Sequence, residues 1–176
     1  MENLVHYHHN VREGLTKHME YLWILQLVVE CEAAFEQSGK ARAQDCVLAK
    51  VGIQDLRGAL RHGDGVIRRK TLQLLSVLEP KEALKDVSDV LVADPCPVVR
   101  HEAAFFLGAL KSEDAVAPLC QALLRDKEDL VRHEAAEALG DLGYKSALPA
   151  LSEATKDGSS VVRDTARLAI LQLKKE

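Results

Sequence analysis

Aromatic residues are scarce in this 176-residue chain: one tryptophan, three tyrosines and three phenylalanines make up 4% of it. Alanine and leucine supply much of the 47% apolar content instead, which favours helices over sheets. Cysteine is also sparse. The four thiols (Cys31, Cys46, Cys96 and Cys120) form no CxxC pair and no dense framework, which excludes a disulfide-stapled scaffold and predicts free cysteines in a reducing compartment. There is no excess of basic charge; the net charge is −4, so a phosphate-neutralising surface is excluded and nucleic acid is not expected as a main partner. Long apolar runs are missing too. The longest, over residues 21–29, is broken by Gln26 and is too short to span a bilayer. The stretch Met1-Glu2-Asn3-Leu4-Val5-His6 lacks the basic-then-apolar build of a signal peptide. These absences predict a cytoplasmic protein with neither a membrane nor a nucleic-acid partner.

What the chain does have is repetition. Segments beginning at Val66, Val98, Leu130 and Val161 read VIRRKTLQLLSVL, VVRHEAAFFLGAL, LVRHEAAEALGDL and VVRDTARLAILQL. Arg68, Arg100, Arg132 and Arg163 fall in register, and the apolar positions recur at three and four, as on one face of a helix. A second apolar helix follows in the first three repeats, over residues 83–92, 115–124 and 147–154, with Pro118 and Pro149 near the starts of two of them, where a missing N–H costs little. Asp94, Asp129 and Asp157-Gly158-Ser159 mark the turns into the next repeat. Arg100 and Arg132 are expected to bond turn carbonyls or the repeated aspartates. One helix pair of this size cannot bury its apolar face alone, so the fold class is all-α: an α-α superhelix of stacked pairs, a repeat solenoid.

The upstream part is less regular. Residues 44–60 supply one degenerate helix pair, with Ile53, Leu56 and Leu60 as its stripe. Residues 11–37 read as one long extra helix, with Leu15, Met19, Leu22, Leu25 and Val29 apolar and Trp23, Ile24 and Val28 broadening the stripe. A helix apolar on most sides needs burial. It either caps the open end of the solenoid or packs against a second subunit. The expected division is residues 1–44 as tail and cap or dimerisation helix, and 45–176 as the repeat domain.

Chemistry concentrates in two repeats. Val99-Arg100-His101-Glu102-Ala103-Ala104 and Val131-Arg132-His133-Glu134-Ala135-Ala136 carry the same His-Glu pair 32 residues apart. Glutamate in a first turn suits the helix dipole and says little by itself. Histidine is the unusual element: neither folding nor capping asks for it, and the flanking repeats replace the pair by Arg69-Lys70 and Asp164-Thr165. Neighbouring helices lie about 8–10 Å apart, so histidines at matched points are expected to converge on one ion, which imidazole binds at about 2.0–2.1 Å. Glu134 can swing to the same ion. Two histidines and a carboxylate leave coordination positions open, which suits non-haem Fe(II). The expected metal ligands are His101, His133 and Glu134, with Glu102 beside them. The alternative is a chance pair of surface histidines. His6, His8, His9 and His18 form a weaker His-rich cluster, read as a metal-binding tract or a solvated tail. His62 sits in a turn and needs no functional reading, and Cys96 and Cys120 are assigned to packing.

The run VVRHEAAFFLGALKSEDAVAPLCQALL, followed by LVRHEAAEALGDLG and VVRDTARLAILQL, resembles one lobe of deoxyhypusine hydroxylase, a HEAT-repeat enzyme with PBS-lyase-like repeats. The resemblance covers roughly residues 66–173. In that family two four-repeat lobes face each other, each with His-Glu motifs in its central repeats. A non-haem diiron centre between the lobes uses oxygen to hydroxylate a modified lysine on a translation factor. The resemblance implies His101, His133 and Glu134 as iron ligands, with Glu102 nearer to substrate. This chain has two motifs where the enzyme has four, and its first sixty or so residues do not match. A diiron centre here would need a second copy, supplied by a two-fold homodimer. The alternative function is a metal-free HEAT-repeat scaffold that binds a protein partner on its concave surface. A chromophore-lyase-like partner of a pigment protein rests on the repeat framework alone.

Overall fold

In a computed structural model, residues 53–78 and 80–174 are described. The long helix expected over residues 11–37, the histidines before it, Cys31, Cys46 and the division expected at 44/45 lie outside them. The chain divides into two compact units, Met1–Thr71 and Leu72–Glu176. The described residues form eight α-helices: α1 (Ile53–Ala59), α2 (Gly65–Leu78), α3 (Pro80–Ala93), α4 (Pro97–Ala109), α5 (Val116–Arg125), α6 (Asp129–Leu142), α7 (Leu148–Ala154) and α8 (Ser160–Leu173). Single 3-10 turns, Glu113–Ala115 and Lys145–Ala147, lead into α5 and α7. No described helix is long and apolar enough to cross a membrane.

In the first unit the chain leaves α1 through a turn in which the Asp64 Oδ1 accepts from the Val66 N–H at 2.8 Å. The Arg68 guanidinium donates to the carbonyls of His62 and Gly63 at 2.8 and 3.1 Å. His62 is part of this turn, its Nδ1 accepting from the Asp64 N–H.

The second unit is a stack of helix pairs. α4 packs on α6 and α6 on α8, while α3, α5 and α7 pack behind them as a second row. The buried stripe is short-chained along the front row, with Val99, Ala103, Ala104 and Leu107 on α4, Val131, Ala135, Ala136 and Leu139 on α6, and Val162, Ala166, Ala169 and Leu173 on α8. This is the 3.6-residue periodicity of an amphipathic helix. Alanine allows close approach, and leucines such as Leu119, Leu123 and Leu151 on the back row fill the space behind, each worth about 1.5–3 kcal/mol on burial.

Two glycines set the front-row spacing. A Cβ built on Gly108 would lie 2.9 Å from the Ala138 Cβ, and one built on Gly140 would lie 3.0 Å from the Ala169 Cβ. Each is the point where one front helix rests on the next.

Each layer is locked by the same turn. The carboxylates of Asp94, Asp126 and Asp157 accept from the backbone N–H two residues on, at Cys96, Glu128 and Ser159. Six residues after each aspartate an arginine returns to that aspartate's own carbonyl: Arg100 to Asp94, Arg132 to Asp126, Arg163 to Asp157. In Arg100 and Arg132 the remaining guanidinium nitrogens reach forward one layer. Arg100 grips both carboxylate oxygens of Asp126 at 2.7 and 2.9 Å, and Arg132 grips Asp157 at 2.8 and 3.0 Å. The arginines thus bond both turn carbonyls and the repeated aspartates. The turn aspartate of the third layer is Asp126 and not Asp129, which opens α6 and accepts from the Ser159 hydroxyl.

The Arg132 hydrogen bond holds the Asp157 carboxyl below its ordinary value, with burial opposing and the Ser159 N–H adding to the effect. A carboxylate depressed in this way stabilises the fold above its unfolded pKa of about 3.9, and the contribution is lost as pH falls through the folded value. Asp157→Asn is therefore expected to cost about 1–2 kcal/mol at pH 7, with the deficit shrinking below about pH 4, in urea titrations at several pH values. Gly140→Ala is expected to destabilise by about 1–3 kcal/mol, because overlap with Ala169 outweighs the gain in helix propensity of about 1 kcal/mol. A variant more stable than wild type in thermal melts would show that the layers have room to part.

Candidate metal centre

The two His-Glu pairs lie on one face of the front row, with Glu134 buried and His101, Glu102 and His133 half-buried. On α4, Val98, His101, Glu102 and Phe105 follow at three and four residues. On α6 the same positions hold Leu130, His133, Glu134 and Glu137, and on α8 they hold Val161, Asp164, Thr165 and Leu168. Layer spacing then joins each histidine to the position after the histidine in the next layer. The His101 Nε2 lies 3.0 Å from the Glu134 Oε2, and the His133 Nδ1 lies 2.8 Å from the Thr165 Oγ1. The second contact repeats the first one layer on, with threonine in the glutamate register.

The structure therefore brings His101 and Glu134 together, from α4 and α6. It joins His133 to Thr165 through Nδ1, and leaves its Nε2 3.7 Å from the Glu137 Oε2, beyond hydrogen-bonding distance. Among the described residues no cluster of three or more His, Cys, Asp or Glu side chains is gathered tightly enough to hold a metal ion. Glu102 is half-buried beside His101 and acts on Glu134 through its charge.

The electrostatics are uneven. The Glu134 side chain is 11% exposed. Burial first, then the charges of Glu137, Glu102 and Asp141, push its carboxyl above the ordinary range, and His133 alone opposes them. A small hollow of about 100 Å³ beside it is lined by Phe105, Gly108, Lys111, Glu134, Glu137 and Asp141. Lys111 holds a left-handed backbone, φ 53°, where the next repeat has Gly143 at φ 80°, and its Nζ donates to the Asp141 carbonyl at 2.7 Å. A second hollow, of about 360 Å³, lies at the turns around Asp94, Arg100 and Asp126, and no histidine lines it.

As donors these residues supply one nitrogen and one oxygen, the His101 Nε2 and the Glu134 Oε2, 3.0 Å apart as a His–Glu pair, with no third His, Cys, Asp or Glu gathered on them among the described residues. Reading the chain alone missed Thr165, Glu137, Asp141 and Lys111. Thr165 was findable, because it falls 31 residues after Glu134 in the shorter last repeat. The thiols carry no such pattern: Cys96 and Cys120 are free, and burial pushes the Cys120 thiol up, away from the reactive thiolate.

A carboxylate raised by burial and like charge opposes folding once it ionises, and that cost appears as pH rises through its folded value. Glu134→Gln in metal-free protein is accordingly expected to match wild type in stability or exceed it by up to about 1 kcal/mol at pH 7 in urea titrations. A large loss would mean that the His101–Glu134 pair is a structural tie.

Among solved structures the fold matches human deoxyhypusine hydroxylase, determined in complex with glycerol. The TM-score is 0.64 and the identity 22%, over 98% of this chain and 73% of that one. At that identity the likeness shows a shared fold. No curated protein sequence matches the chain. A family model of HEAT repeats matches residues 84–171, which span α4 to α7 whole and most of α3 and α8. The chain belongs to the HEAT-repeat family.

Proposed function

We propose that this chain is a deoxyhypusine-hydroxylase-like metalloprotein, an O2-dependent oxidoreductase that binds non-haem iron through its paired His-Glu motifs. The observation that carries this reading is the His101 Nε2–Glu134 Oε2 approach at 3.0 Å across two layers, inside a ring of surplus carboxylates. His101, His133 and Glu134 would hold the ion, with Glu102 beside it. Bound iron would supply the oxygen chemistry. The chain's own part is to keep donors fixed on rigid helices, to keep the Glu134 carboxylate out of water, and to leave positions open.

One such centre is half of a diiron site, and a second copy would complete it. The motif face supports an isologous contact, since it carries exposed apolar residues in the same register on three helices: Val98 and Phe105, Leu130, Val161 and Leu168. Residues 1–44 would serve as the cap or dimerisation element, in a cytoplasmic protein. The same apolar row favours one other reading, a metal-free scaffold that docks a protein partner on this face.

Iron separates the two. Anaerobic Fe(II) at one hundred times its Kd is expected to raise the unfolding free energy by about 2.7 kcal/mol. His101→Ala and His133→Ala are expected to lose that gain, and sedimentation is expected to show a dimer with iron present. Unchanged stability on adding Fe(II) would leave the scaffold.

A further inference from the structure

We propose that the hollow at the turns beside α3 and α5 is a binding site for a single carboxylate carried on an apolar body. This inference does not depend on the metal reading above.

The hollow holds about 360 Å³, inside the range of about 300–1,000 Å³ usual for small-ligand pockets. Part of its lining is apolar, with Leu91 buried and Val92 and Pro95 exposed. Arg100, itself buried, lines it as well. The Arg100 Nη1 donates to the Asp94 carbonyl, and Nε and Nη2 donate to Asp126, so Nη1 and Nη2 each keep one further N–H. Arg125 and Lys127 line the hollow from exposed positions, and among the described residues neither side chain has a hydrogen-bond or ion-pair partner.

A cation in the last turn of α5 suits the helix dipole, so Arg125 by itself says little. The next layer supplies the contrast. There Lys156 stands just before the turn aspartate, as Arg125 does, and its Nζ donates to the Glu153 carboxylate at 2.9 Å. Glu153 falls 32 residues after Gln121, which lines the hollow four residues before Arg125 and is neutral. The next layer also has Gly158 after its turn aspartate, where this layer has Lys127. One layer therefore neutralises its cation internally. The other leaves two cations over a cavity, in a chain of net charge −4.

The charge of the ligand follows from the rest of the lining. Asp94 and Asp126 border the same hollow, and their carboxylates are engaged by the turn N–H groups and, at Asp126, by Arg100. Both oppose a dianion such as phosphate more than a monoanion. A carboxylate carries one charge and matches the planar fork of a guanidinium. The apolar lining then takes an alkyl or aromatic group. A free organic acid and the C-terminal residue of a peptide share this chemistry.

The experiment titrates the full chain with N-acetyl-leucine and with a hexapeptide ending in leucine, and follows nitrogen-15 amide shifts. The carboxamide form of each probe and inorganic phosphate are the controls. Saturable shifts at Gln121, Arg125 and their neighbours are expected with both acids, and binding about 10- to 100-fold weaker with the carboxamides and phosphate. Gln121→Glu gives Arg125 an internal partner, as Glu153 serves Lys156, and Arg125→Gln removes the cation. Each is expected to weaken binding about 10- to 100-fold, with amide shifts on α6 and α8 unchanged. A hexapeptide that binds about tenfold or more tightly than N-acetyl-leucine marks a chain end as the ligand, and any smaller difference marks a free acid. No saturable shift with either acid, equal binding of the carboxamides or of phosphate, or wild-type affinity in either variant overturns the proposal.

Discussion

An arginine that ties down its own turn with one nitrogen and grips the next turn with two others fixes the step between layers. Arg100 and Arg132 both do this, and each is largely buried with its aspartate. A guanidinium at such a site, with its carboxylate removed, would be a desolvated charge lacking a partner, which is among the more costly faults a fold can carry. The pairing joins each layer to the one ahead of it through both oxygens of a single carboxylate. Everything on the front row inherits this step. Gly108 and Gly140 let the helices touch at the distance the forks set, and His101 meets Glu134 because one step separates them.

The chemistry of the motif face follows from the same translation. A residue repeated at a 32-residue period reaches its own register position, or the one beside it, in the next layer. The His-Glu dipeptide thus becomes a His-to-Glu contact between layers, with the partner contributed by the following helix. The last repeat is one residue shorter and carries threonine in the glutamate place, so the carboxylate row ends there and the acidic ring gathers around Glu134.

Much of this was legible in the chain. The four segments beginning at Val66, Val98, Leu130 and Val161 lie one residue inside the observed starts of α2, α4, α6 and α8, because their periodicity is strong and the turns recur. The all-α repeat class and the role of the in-register arginines followed from the same pattern. The third-layer turn was placed at Asp129, three residues late, because aspartate suits both a turn and a helix's first residues and composition does not separate the two. The site was legible as a face and less so as a set of contacts. Matched positions were expected to bring His101 and His133 to one point, whereas each ring reaches forward to the next layer. Spacing along a helix gives the face; the ring rotamer, which decides which nitrogen points where, is set by neighbours thirty residues away.

The forward-reaching fork has an evolutionary consequence. Duplicating any 32-residue stretch in frame would insert a layer whose arginine finds an aspartate ahead and whose aspartate finds an arginine behind. Gene rearrangement can thus lengthen or shorten such an array without inventing a single new contact, and the number of layers is free to drift. The His-Glu pair lacks that freedom, since every extra copy adds another acid to a face where Glu102, Glu137 and Asp141 already act against the Glu134 charge. Selection on this face, and not on the scaffold, would then set how many layers carry the pair.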